Sequence, residues 1–110
     1  MQQIKFRGKR SNSGDWIYGG ITTDKKFIVD RMTFIPVDPD TVGQFTGICD
    51  IANREIYEGD IVRDVDWINT VTYNHKQAAF LLDDGCGIDE NTCEVLGTIF
   101  DNPELLEKKQ

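Results

Sequence analysis

Apolar and polar positions alternate from the start of the chain. Ile4, Phe6 and Gly8 interleave with Lys5, Arg7 and Lys9, the period-two pattern of a strand with one wet, basic face. Ser11-Asn12-Ser13-Gly14-Asp15 is rich in turn formers, and Trp16-Ile17-Tyr18 restarts an aromatic and β-branched run. Strand, turn and strand predict a hairpin. Gly19-Gly20 then marks a bulge or a close backbone approach. Lys26–Val29 and Met32–Ile35 are two further short strands. Pro36 and Pro39 are expected to end this region, because proline cannot donate to a ladder.

Val42–Ile48 predicts another strand, with Val42, Gln44, Thr46 and Ile48 on one side. Asp50–Arg54 reads as a turn in which Asn53 can take a positive φ. Glu55–Val62 carries a tight Gly59-Asp60 turn that feeds a β-branched strand. Ile68–Tyr73 and Ala78–Leu82 flank Asn74-His75-Lys76, a second hairpin signal. Asp83–Asn91 is a polar loop and Val95–Phe100 the last strand. Asn102 before Pro103 and Glu104, with Lys108 and Lys109 following, predicts a short capped helix that Leu105 and Leu106 pin to the body. Strands spaced every 8–12 residues or so, with no long 3.6-residue period, give an all-β (mainly β) fold. The expected architecture is one domain over 1–110: an N-terminal β-hairpin region over about 3–35, a small SH3-like barrel over about 42–101 and a C-terminal helical turn over about 102–108. Pro36–Thr41 is the weakest joint.

Three stretches, in order, resemble the YopX family of phage and prophage proteins. The first is Ile4-Lys5-Phe6-Arg7-Gly8-Lys9-Arg10 with Gly14-Asp15-Trp16-Ile17-Tyr18-Gly19. The second is Val42-Gly43-Gln44-Phe45-Thr46-Gly47, leading to Glu55-Ile56-Tyr57-Glu58-Gly59-Asp60-Ile61-Val62. The third is Glu94-Val95-Leu96-Gly97-Thr98-Ile99-Phe100-Asp101-Asn102-Pro103-Glu104-Leu105. The resemblance implies a small, mostly β protein carried by temperate phages of Gram-positive bacteria, and it implies no catalytic residues. Where the family often has Asn-Gly-Lys before Glu-Ile-Tyr, this chain has Ala52-Asn53-Arg54. Asn tolerates positive φ well enough for the turn to survive.

Composition narrows the classes. With 110 residues, 39% hydrophobic and 28% charged, the chain fits a single soluble globular domain. It contains no apolar run near the roughly 20 residues of a membrane helix, and its alternating start is not a signal segment. Secreted, membrane-spanning, collagenous and wholly disordered classes are therefore not expected. The net charge of −7 hides an asymmetry. Residues 1–32 hold seven basic and three acidic side chains, a net of +4; the remainder holds five and sixteen, a net of −11. Such a chain can dock its basic end on an acidic face, within one molecule or between copies.

Candidate chemistry is thin. Cys49, Cys86 and Cys93 are an odd count without a C-x-x-C knuckle, which argues for reduced cytosolic thiols over disulfides or zinc. His75 is the sole histidine and sits in a predicted hairpin tip, so neither thiol nor hydroxyl has an obvious base. Glu58 and Asp60 could share a face, yet Gly59 between them makes Asp60 a turn cap instead of half of an acid pair. Asp83–Glu90 fails the calcium-loop pattern, because Gly85 and Gly87 stand where ligands belong. No catalytic residue, metal ligand or cofactor is expected, and the chain is read as non-enzymatic.

The aromatic residues carry more. Lys5, Arg7, Lys9 and Arg10 lie one turn from Trp16 and Tyr18, and Tyr57 and Trp67 fall in or beside strands. These eight are the candidate binding residues. Complementary charge and sheet edges favour a protein partner, itself or a host or phage factor, with homo-oligomerisation a natural consequence. Nucleic acid on the basic hairpin is the alternative, since rings stack bases and cations meet phosphates; the acidic remainder opposes it. No membrane partner is expected, and the cytoplasm of a bacterial host is the expected location.

Overall fold

The computed structural model describes residues 4–108. Gln3, where the N-terminal region is expected to begin, and Lys109 at the end of the C-terminal turn lie outside the described residues. The order is β1 (Phe6–Arg10), β2 (Trp16–Ile21), β3 (Phe27–Asp30), β4 (Thr33–Cys49), β5 (Glu55–Tyr57), β6 (Asp60–Asp64), β7 (Trp67–Asn74), β8 (Ala79–Leu82) and β9 (Cys93–Thr98), followed by a 3-10 helix (Pro103–Lys108). The mainly β expectation holds, and the expected C-terminal helix is this 3-10 segment. Two antiparallel sheets form, in the orders β1-β2-β3-β4-β5 and β8-β7-β6-β9. The chain divides into two compact units between Phe45 and Thr46, inside β4, so Pro36–Thr41 lies within the first.

In the first unit the ladders close on themselves. β1 pairs β2 (Arg7 opposite Tyr18, Lys9 opposite Trp16), β2 pairs β3, β3 pairs the start of β4, and later β4 pairs β1 again. Closure requires β2 and β4 each to change partner along their length. In β2 the change falls at Gly19-Gly20, as the sequence predicts: a Cβ on Gly19 would collide with the Val29 carbonyl. In β4 the change falls at Pro36-Val37, with Pro36 opposite Phe27 on β3 and Val37 opposite Arg10 on β1.

The prolines therefore do not end the strand, contrary to expectation. Pro36 sits at the switch and its carbonyl accepts from the Ser11 amide. Pro39 occupies a bulge in the β1–β4 ladder between Arg7 and Lys9, a site where a missing donor costs little. The bulge is tied down by Thr41, whose hydroxyl donates to the Asp38 carbonyl and accepts from the Lys9 amide. Ile28, Val37 and Phe45 form the buried apolar positions here. Of the expected one-sided run Val42, Gln44, Thr46, Ile48, only Thr46 is buried. Thr41, Gly43 and Phe45 are buried from the alternate positions, and the phase changes between Phe45 and Thr46, just before Gly47 takes φ 87°.

The second unit has a conventional core and a Greek-key order, in which β6, β7 and β8 follow one another and β9 returns to lie beside β6. Ile56, Val62, Val71, Leu82 and Cys93 are packed together, with Ile48, Ile88 and Val95 against them. Its ladders run β7–β8, β6–β7 and β6–β9. The Asp50–Arg54 turn forms as predicted, with Asn53 at φ 64°. Asp60 caps the preceding turn through the Tyr57 amide at 2.7 Å. Asn102 departs from its predicted role: its side-chain oxygen accepts from the Thr98 amide, back toward β9.

Candidate interaction surface

The predicted binding residues separate into distinct environments. Arg7 and Lys9 on β1 stand directly opposite Tyr18 and Trp16 on β2, and antiparallel pairing sets such opposed side chains on one face. Lys5 precedes β1, and Arg10 alternates to the other face. The Arg7 guanidinium lies 4.4 Å from the Trp16 ring centroid and the Lys9 ammonium 5.5 Å from the same ring. Lys5 covers Phe45 at 5.7 Å. Such contacts stabilise by about 0.5–2 kcal/mol depending on desolvation. The face is not the wet basic stripe expected. Arg7 is 5% exposed, and its cation covers the indole instead of meeting solvent. Trp16 is half-buried, while Tyr18 and Arg10 are exposed.

Tyr57 leaves the candidate set altogether. It is 2% exposed and its hydroxyl donates to Glu55 at 2.9 Å, so it offers no ring to a partner. Trp67 is the reverse case, 61% exposed at the β6–β7 hairpin. Asp64 and Trp67 are paired across a two-residue turn, Val65-Asp66, with Val65 at φ 58°. A β-branched residue in the left-handed region is a genuine outlier.

A second apolar tip was missed from the sequence. The β3–β4 hairpin turns at Arg31-Met32, with Asp30 opposite Thr33 and Arg31 at φ 59°. Met32 is 92% exposed and Phe34 60% exposed. Phe27 stacks edge-on against Phe34 at 6.5 Å. Arg31 is exposed at the turn beside Asp30, and Lys25 and Lys26 are exposed at the other end of β3, next to Phe27. Asp24 is taken up locally, accepting from the Lys26 amide and the Thr22 hydroxyl, and these bonds hold its carboxyl below the usual range. The available signal was the two-residue gap between Val29-Asp30 and Thr33-Phe34, which makes a tight hairpin whose apolar tip residues project away from any core.

The groups that could have done chemistry are placed structurally. His75 is exposed and packs edge-on against Tyr73 at 4.9 Å. Burial pushes the Cys93 thiol up, and the hydrogen bond and charge of Asp84 push Cys86 up, the opposite of an activated nucleophile. Asp84 and Asp89 each accept a backbone amide two residues on. Among the described residues, no helix is long and apolar enough to cross a membrane.

Against known proteins, the YopX protein family model matches residues 2–107. The chain belongs to the YopX family. The match crosses both units, so the family pattern covers the ringed ladders and the Greek key alike. The fold has a solved counterpart in protein EF1440 from Enterococcus faecalis, at TM-score 0.62 and 21% identity, covering 96% of this chain and 99% of that one. No curated protein matches the sequence. This YopX-family chain thus shares its fold, over nearly its full length, with a solved structure.

Proposed function

We propose that this YopX-family chain is a non-enzymatic protein-interaction module. The observation that carries the reading is the exposed apolar strip of the β3–β4 hairpin, Met32, Phe34 and Phe27, with Arg31 at its turn and Lys25 and Lys26 at its other end. Aromatic residues, Met and Arg are the types enriched in protein interfaces, and an exposed apolar cluster with a polar rim is what a partner covers. The raised thiols and the exposed histidine support a reading without a catalytic nucleophile or base. Three free cysteines suit a reducing compartment, in keeping with the cytoplasm of a bacterial host and a phage or prophage origin. The partner is another protein chain, and self-association is one form of that. Nucleic acid is the weaker reading, because Arg7 is buried and Trp16 is already covered by two cations.

The test is affinity capture from host extract with tagged chain, with and without nuclease, alongside a Met32→Glu/Phe34→Ser variant. The reading expects a stoichiometric protein that survives nuclease and disappears with the variant. Capture that collapses with nuclease, or that the variant leaves intact, overturns it.

A further inference from the structure

We infer that the β3–β4 tip of one copy docks on the β6–β7 tip of a second copy, head to tail. This rests on the interaction-module reading and names its partner. Both tips are two-residue hairpin turns with the first turn residue at positive φ, Arg31 at 59° and Val65 at 58°. Both expose large apolar side chains: Met32 and Phe34 on one, Val65 and Trp67 on the other. Their charge differs: Arg31 stands at the apex of the first turn beside Asp30, whereas Asp64 and Asp66 both flank the second. The units that carry them differ in the same sense. Residues 1–45 hold seven basic and five acidic side chains, net +2, and residues 46–110 hold five and fourteen, net −9.

The pairing has a specific chemistry. Arg31 can lie over the Trp67 indole while it meets Asp66, joining a cation–π contact to an ion pair. Met32 and Phe34 cover Val65. Both tips are short paired hairpins, so little ordering is lost on contact. A second copy supplies this complement because each chain carries one tip of each kind. Two different surfaces meet, so the contact is heterologous, and the assembly grows by addition or closes as a ring. Two hairpin tips are smaller than a standard interface, which predicts weak, concentration-dependent association.

The experiment is sedimentation velocity on the purified full chain over a concentration series at low and high salt. The proposal expects a mass that rises with concentration and falls with added salt. Arg31→Glu and Asp66→Arg, each alone, should lower self-affinity at least about tenfold by setting like charges face to face. The two single variants, once mixed, should associate with each other, because positions 31 and 66 then carry opposite charges at every contact between unlike chains. The double variant Arg31→Glu/Asp66→Arg should recover most of the loss for the same reason. Circular dichroism checks that each variant keeps its strand signal. A chain that stays monomeric at every concentration overturns the proposal. So does an oligomer indifferent to both charge reversals, or one that the charge swap fails to restore. Failure here is separable from failure of the module reading, which the capture experiment reads on other proteins.

Discussion

The two units use their apolar residues differently. The second gathers Ile56, Val62, Val71, Leu82 and Cys93 into one buried cluster. The first buries Ile28, Val37 and Phe45 but leaves Met32, Phe34 and Tyr18 exposed. Its four strands satisfy one another around a closed set of ladders, and Trp16 is roofed by Arg7 and Lys9. Closure of the backbone hydrogen bonds removes most of the free sheet edge, so the unit does not need every aromatic inside. Both units expose apolar side chains, Met32 and Phe34 in the first and Val65 and Trp67 in the second; what differs is the backing, a single buried cluster in the second and closed ladders in the first.

The largest effect should come from the second unit's core. Ile56→Ala removes a fully buried branched side chain and should cost about 2–5 kcal/mol, read as a shift in the urea midpoint. A loss no larger than that of a surface change would break the contrast, since the cluster would then not be what holds the second unit.

Asp50 sharpens the comparison from the polar side. Its carboxylate accepts from the Ala52, Arg54 and Val95 amides and from the Arg54 side chain, joining the β4–β5 turn to β9. Burial alone would push its carboxyl up, but these donors and the Arg54 charge outweigh that and hold it below the usual range. Asp50→Asn should cost about 1–3 kcal/mol at neutral pH, because buried donors lose their partner. The folded-state pKa lies below the unfolded value of about 3.9, so the stabilisation is complete above that pH and is lost as pH falls through the folded value. The variant should therefore lose less stability than wild type on acidification from about pH 5 to pH 2, measured by urea titration at each pH. An unchanged acid limb would remove Asp50 from this role.

A smaller effect, of opposite sign, is expected at the hairpin turns. Val65 is exposed and its backbone is left-handed, a conformation that costs roughly 1–2 kcal/mol for ordinary L-residues and less for Asn. Val65→Asn should raise stability by about 1 kcal/mol in thermal or urea unfolding. Arg31→Asn, at the matching turn of the first unit, should gain less, since Arg31 is not β-branched. Equal gains would mean that side-chain branching does not distinguish the two turns.

Local chemistry was legible where it is decided locally. The β1–β2 hairpin, the Gly19-Gly20 approach, Asn53 at positive φ and Asp60 as a turn cap all follow from residues a few positions apart. What was missed depends on partners far away in the chain. Pro36 and Pro39 stop a strand only if their amides face a ladder; here one lies at a change of partner and the other in a bulge. Arg7 reads as a wet cation in the alternating pattern, yet the Trp16 ring opposite Lys9 draws it under cover. Tyr57 reads as a free ring and is core. Met32 and Phe34 read as strand interior, because a period-two pattern cannot say which face is solvated until the sheet has closed.

The smallest expected change in stability is at the first unit's tip, and it is the one that separates the two units most directly. Met32 is 92% exposed, so Met32→Ser withdraws almost no apolar surface from a packed environment. Stability should stay within about 0.5 kcal/mol of wild type, as for surface positions without a special backbone or bonding role. The same substitution removes the most projecting apolar side chain from the patch that a partner would cover, and truncating such an anchor typically costs a binding interface about 1–2 kcal/mol or more. Urea unfolding and capture of the partner, measured on one preparation, should therefore part company: an unmoved midpoint with at least several-fold weaker retention. If the midpoint falls by as much as it does for Ile56→Ala, Met32 is a packing residue and the first unit is held like the second. If neither quantity moves, the exposed tip plays no part in recognition.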